Sequence, residues 1–119
     1  MFKRIIISTA LLLIANLALA HGDHAPPPKV AECKDAKACT KQEVIAGSNK
    51  FLPNLLSSGK LDASWKGVSA SEPEQKTFGS ATEWIVPFKN SKASDKAKQT
   101  LYLFVTLDGI LSGANFTGK

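Results

Sequence analysis

Apolar and polar positions divide the chain into stretches of different period. From Ile5 to Leu19 the residues are mostly apolar, behind Lys3 and Arg4. Residues 21–39 read as an extended arm that carries Pro26-Pro27-Pro28. From Thr40 the spacing becomes helical: Val44, Ser48, Phe51, Leu52, Leu55 and Leu56 recur at three- and four-residue steps and form one stripe. Thr40 and Glu43 fit the N-cap and third position of a capping box, and Gly59 suits the stop. Pro53 lies inside this stretch and is expected to kink the helix or split it in two.

Beyond Lys60 the pattern changes to turns and strands. Leu61–Trp65 is a short connector whose Trp packs on the helix. Pro73 limits any earlier strand, so the first is expected over Glu74–Phe78. Gly79-Ser80-Ala81 turns the chain into a second strand, Thr82–Lys89, where Trp84, Val86 and Phe88 share one face and Ile85 and Pro87 the other. Pro87 there indicates an edge position or a bulge. After a polar loop, Thr100–Leu107 is dense in β-formers, Asp108-Gly109 is a tight-turn dipeptide, and Ile110–Phe116 returns. Leu101, Leu103, Val105 and Leu107 face one side of the outgoing strand, with Tyr102, Phe104 and Thr106 opposite. Apolar residues on both faces place it centrally. The sum is an α+β fold: one N-terminal helix on a three- or four-stranded antiparallel sheet.

Length and charge sharpen the picture at the N-terminus. A chain of 119 residues holds one domain at most. Lys3-Arg4, the apolar run and Ala18-Leu19-Ala20 match an export signal cleaved after Ala20, too short to span a bilayer comfortably. The expected plan is a signal peptide over 1–20, an extended arm with the Cys pair over 21–39, and one small domain over 40–119. The three prolines should hold the arm away from the body. The formal charge is +5, and losing Lys3 and Arg4 leaves thirteen basic residues against ten acidic, or +3. Lysines scattered from Lys29 to Lys119 read as solvated surface, which argues against nucleic acid. The expected location is periplasmic or secreted, with no stable membrane insertion after cleavage.

Candidate chemistry is sparse. The two histidines, His21 and His24, fall within four residues of the expected mature terminus. Cleavage after Ala20 would place a free α-amine beside the His21 imidazole, a chelating pair that Asp23 and His24 can complete. Such nitrogen-rich, roughly planar donors suit Cu(II) or Ni(II) ahead of Zn(II). The alternative is a passive polar tail. Cys33 and Cys39 form an even pair on the exported side, where a structural disulfide is expected. Their spacing is not Cys-x-x-Cys, which weakens a redox reading, and a mixed site of His21, His24, Cys33 and Cys39 would need reduced thiols.

Conventional catalysis finds no nucleophile elbow, phosphate loop or histidine within the fold, so a non-enzyme is expected. Asp62, Glu83 and Asp108 are single carboxylates in connector, strand and turn. Trp65 and Trp84 fit core packing better than a ligand groove. Asn115-Phe116-Thr117 matches a glycosylation triplet that is common by chance.

The stretches Gly59–Trp65, Lys76-Thr77-Phe78, Glu83–Val86 and Lys98–Tyr102 resemble a family of small exported proteins of unknown function from Gram-negative bacteria. The ending Leu107-Asp108-Gly109 with Ala114–Lys119 and the start His21-Gly22-Asp23-His24 look similar to it as well. The Cys pair and the proline run are not part of that resemblance. The helix-on-sheet order is also similar to PepSY-type domains. The resemblance implies an exported non-enzyme of uncharacterised role and supplies no catalytic residues. Two readings stand at this point: a binding module that captures copper or a similar ion through its arm, or a periplasmic protein-interaction or inhibitor-like module using its sheet, with the arm passive.

Overall fold

The computed structural model describes residues 26–119. Helix α1 spans Lys41–Ser57 and starts where its capping box dictates. Thr40 Oγ1 accepts the Glu43 N–H at 3.2 Å, and the Glu43 carboxylate accepts the Thr40 N–H at 2.9 Å. At the other end the Lys60 N–H donates to the Leu55 carbonyl and the Gly59 N–H to the Leu56 carbonyl, with Gly59 at φ +80°. This paired closure satisfies two of the helix's last carbonyls and needs the left-handed backbone that Gly adopts freely. The expected split at Pro53 is not seen, for α1 continues through it as one element. Pro53 cannot donate to the Asn49 carbonyl, but Phe51 and Leu52 are buried just before it and Leu55 and Leu56 pack on the core just after. Packing on both sides outweighs one missing bond.

Four antiparallel strands follow in a meander, β1 Glu74–Phe78, β2 Ala81–Lys89, β3 Thr100–Thr106 and β4 Leu111–Asn115, lying in chain order across one sheet. The inner face presents Trp84, Val86 and Phe88 from β2 and Leu101, Leu103 and Val105 from β3 to Val44, Ser48, Phe51 and Leu52 of α1. Burying these side chains, at about 1.5–3 kcal/mol for each large aliphatic or aromatic one, drives the fold. Trp65 completes the core from a short 3-10 turn, Ala63–Trp65, with its ring 6.1 Å from that of Phe116.

Pro87 corrects an expectation. Its strand is central, flanked by β1 and β3, and carries no bulge at that point. The pairing with β1 ends at Glu74 opposite Ile85, two residues earlier. Beyond that end the Ser71 N–H donates to the Pro87 carbonyl at 2.7 Å, and nothing there calls for the N–H that proline lacks. The edge is local to one residue.

The β3–β4 hairpin is closed between Thr106 and Ile110 around a three-residue loop, residues 107–109. Thr106 N–H donates to the Ile110 carbonyl and Gly109 N–H to the Thr106 carbonyl, with Gly109 at φ +92°. The chain ahead of α1 packs on this loop. The expectation that the segment around the proline run stands clear of the body is therefore corrected for residues 28–39. Val30 and Ala31 are buried, at 7% and 1% exposure. The prolines remove only their own donors; the Pro28 carbonyl accepts the Leu111 N–H, and Val30 and Ala31 supply the N–H groups that reach Gly109.

Candidate functional site

His21, Asp23 and His24, the ligands expected from the sequence, lie outside the described residues. What is described is the root to which they are joined. The Gly109 carbonyl accepts the N–H groups of Val30 at 2.7 Å and Ala31 at 3.1 Å, and Leu107 accepts that of Cys39 at 2.7 Å. Lys29 lies opposite Ile110 in an antiparallel bridge, so the segment adds a short fifth strip beside the start of β4. His24 lies four positions ahead of Pro28, a span of at most about 14 Å for extended chain.

Two glycines make this docking possible. Ala31 sits between Gly47 of α1 and Gly109 of the loop. A Cβ on Gly47 would overlap the Val30 carbonyl oxygen and come within 2.7 Å of the Ala31 Cα; one on Gly109 would lie 2.5 Å from the Ala31 carbonyl oxygen. The Cys33–Cys39 disulfide closes the next loop, with its Cα atoms 5.0 Å apart and Cys39 buried. Glu43 joins that loop to the helix, since its second carboxylate oxygen accepts the Lys34 N–H at 3.0 Å. The N–H groups of Thr40 first and Lys34 second hold the Glu43 carboxyl below its ordinary acidity range.

The disulfide occupies both sulfurs, which removes the thiolates that the mixed His/Cys site required. Among the described residues no three His, Cys, Asp or Glu side chains gather into a potential metal cluster. Asp62 accepts the Ser64 hydroxyl and N–H and caps the 3-10 turn; these bonds, the hydroxyl's first, lower its carboxyl's pKa. Asp108 accepts the Thr106 hydroxyl at the hairpin, while Glu83 lies half-buried on β2. The three carboxylates stand on separate elements. Both tryptophans are core residues, at 3% and 7% exposure.

Asn115 has a structural task. Its Oδ1 accepts the N–H groups of Thr117 at 3.1 Å and Gly118 at 2.8 Å, and its Nδ2 donates to the Lys119 carbonyl at 3.2 Å. These bonds curl the last residues over the outer face of the sheet, where Gly118, at φ +77°, lies against the Tyr102 ring. The Asn-Phe-Thr triplet therefore encodes a clasp.

Two surface features escaped the sequence reading. On the outer face Phe78 is 37% exposed and meets Phe104 edge-on at 5.9 Å, next to a groove of about 290 Å³ lined by Glu74, Lys76, Ile85, Pro87 and Tyr102. A larger groove of about 710 Å³ runs between the second half of α1 and residues 61–69, with walls of Leu52, Pro53, Leu56, Leu61 and Val68 and Lys66 on its rim. Its signal was the width of the helical stripe: Leu56 lies past the core-facing residues, and only the fold shows that the following loop leaves it half open.

Compared with known proteins, residues 1–119 match the model of a family described as "Family of unknown function (DUF6488)", and the chain belongs to that family. No curated protein and no solved structure matches it.

Proposed function

We propose, for this member of a family without an assigned activity, an exported, non-enzymatic binding module that captures a divalent ion at its mature N-terminus. Cu(II) is the preferred ion, with Ni(II) and Zn(II) as alternatives. The His21 α-amine and imidazole form the primary chelate, and Asp23 and His24 complete it. One observation carries this reading: the two imidazoles of the chain stand at positions 21 and 24, just past a leader-like segment and just ahead of a clamped root. With both sulfurs held in a disulfide, these are the nitrogen donors best suited to a transition metal. The clamp at Pro28–Ala31 keeps a captured ion close to the β3–β4 loop.

The test is copper titration of the processed protein followed by visible absorption, with intact mass fixing the first residue. One equivalent should bind, with affinity falling as pH drops through the α-amine's range near pH 8, because the amine must lose its proton. His21→Ala should abolish binding. Unchanged binding in that variant, or a first residue other than His21, refutes the proposal.

A second reading rests on exposed Phe78 and the outer sheet face, an apolar patch of the kind that marks a protein contact. On that reading a periplasmic partner survives deletion of residues 21–25 and is lost with Phe78→Ser. The opposite result excludes the sheet as the contact surface.

A further inference from the structure

Six exposed lysines, Lys60, Lys66, Lys89, Lys92, Lys96 and Lys98, lie on two segments, residues 60–66 and 89–98, that meet at one end of the sheet. Specific contacts assemble them. Asn90 is 3% exposed, and its amide donates to Ser64 Oγ at 2.9 Å, fixing the β2–β3 loop against the 3-10 turn that leads into Lys66. Asn90 Oδ1 accepts the Lys92 N–H at 3.0 Å, so Lys92 leaves from the same anchor. Lys60 and Lys98 border one depression of about 210 Å³ together with Trp65 and Phe116. There the Lys98 ammonium lies 5.9 Å from the centre of the Phe116 ring.

The acids in these segments are Asp62 and Asp95, and both carboxylates accept backbone N–H groups, Asp62 as cap of the turn Ala63–Trp65 and Asp95 as cap of a second 3-10 turn, Lys96–Lys98. Among the described residues none of the six lysines forms an ion pair. Six cations against two capping acids leave a local excess of four positive charges.

The apolar groove opens beside this cluster. Leu61 lines both the groove and the depression, and Lys66 stands on the groove's rim. A polyanion such as nucleic acid would engage the lysines and leave Pro53, Leu56 and Val68 in water. A bilayer with anionic headgroups satisfies both features, since phosphates meet the ammonium groups while the apolar walls meet the edge of the hydrocarbon. We propose that this end of the domain docks peripherally on an anionic lipid bilayer, with Lys60, Lys66 and Lys98 as principal headgroup contacts and the Leu56–Val68 groove as the apolar contact. Among the described residues no helix is long and apolar enough to cross a membrane, so the docking is a surface contact.

The experiment sediments the full chain, as its host processes it, with phosphatidylcholine vesicles with and without phosphatidylglycerol. Binding should require phosphatidylglycerol and weaken as salt is raised. Replacing Lys60, Lys66 and Lys98 by Gln should lower partitioning on the order of 100-fold, at roughly fivefold per lysine near an anionic surface. Replacing Lys34, Lys37 and Lys76, which changes net charge equally but elsewhere, should have a much smaller effect. Leu56→Gln should weaken vesicle binding while leaving any residual affinity for a single-stranded oligonucleotide unchanged. Binding to phosphatidylcholine alone, equal losses from the two triple variants, or indifference to Leu56→Gln would each overturn the proposal. The wild-type salt and lipid dependence decides the matter even if a triple variant fails to fold.

Discussion

Gly47→Ala sets two effects of opposite sign against each other. In an exposed helix interior the change should stabilise by about 0.5–1 kcal/mol, because Ala loses less backbone freedom on folding. Here the new methyl group would meet backbone atoms, the Val30 carbonyl and the Ala31 Cα at 2.7 Å, with the Ala31 Cβ at 2.9 Å. Backbone cannot rotate away as a side chain can, so residues 28–31 must shift as a unit. That displacement strains the two bonds to the Gly109 carbonyl, the Leu111-to-Pro28 bond and the burial of Val30. Overpacking of this kind costs about 1–3 kcal/mol. Full detachment sets the ceiling at about 5 kcal/mol: roughly 2 for Val30 and about 1 for each of three bonds. Because the contacts are to backbone, the upper half of that range applies, and subtracting the helix gain leaves a net loss of about 1–2.5 kcal/mol, or a fall in Tm of roughly 4–20 °C for a domain this size. Urea unfolding should show a lower midpoint at unchanged slope, and amide exchange at Val30 and Ala31 should rise more than in β3. A raised Tm, with exchange at those two amides unaltered, would refute the account of a clamp set by Gly47.

Other expectations follow from the same contacts. Replacing Cys33 and Cys39 together by Ala should cost about 2 kcal/mol by the loop-entropy account, read as a midpoint shift, and no shift would mean that Glu43 and Gly109 suffice to order the loop. Glu43→Gln tests the linkage. The folded pKa of Glu43 lies below its ordinary 4.5, so its stabilisation is present above that value and is lost as pH falls through the lowered one. Tm measured against pH should therefore decline less steeply below 4.5 in the variant; identical profiles would remove Glu43 from the acid response. Ser48→Ala should stabilise by about 1 kcal/mol, because the buried hydroxyl has no partner among the described residues and Ala is the better helix former. Destabilisation would reveal a bond that the hydroxyl does make.

Local grammar explains what the sequence made legible. The Thr40/Glu43 box starts a helix because both of its hydrogen bonds close within four residues, and Asp108-Gly109 folds back because Gly109 alone meets the backbone demand. The strand Glu74–Phe78 was readable from Pro73 before it and Gly79 after it. The docked root was hidden for a different reason. Its fit depends on Gly47 and Gly109, 16 and 78 residues further along than Ala31, and nothing local announces that a helix and a hairpin loop will leave a slot one methyl group wide. Three adjacent prolines pointed away from pairing, yet the ladder used only what proline keeps, its carbonyl, and took its donors from Val30 and Ala31.

Pro87 follows the same logic. Proline is excluded from a strand wherever a neighbour needs its N–H, and that need can end within a strand when the neighbour is shorter. Glu74 closes β1 opposite Ile85, and Ser71 beyond it donates to Pro87 and asks for nothing in return. In both places proline marks where donors are missing, which is a statement about the partner's length and direction more than about an edge or a free arm. The basic end was masked likewise. Lysines spread from Lys60 to Lys98 look like ordinary solvated surface until buried Asn90 bonds Ser64 and draws two distant segments together. A buried amide that bonds another loop is thus the residue to ask about when scattered charges carry no pattern of their own.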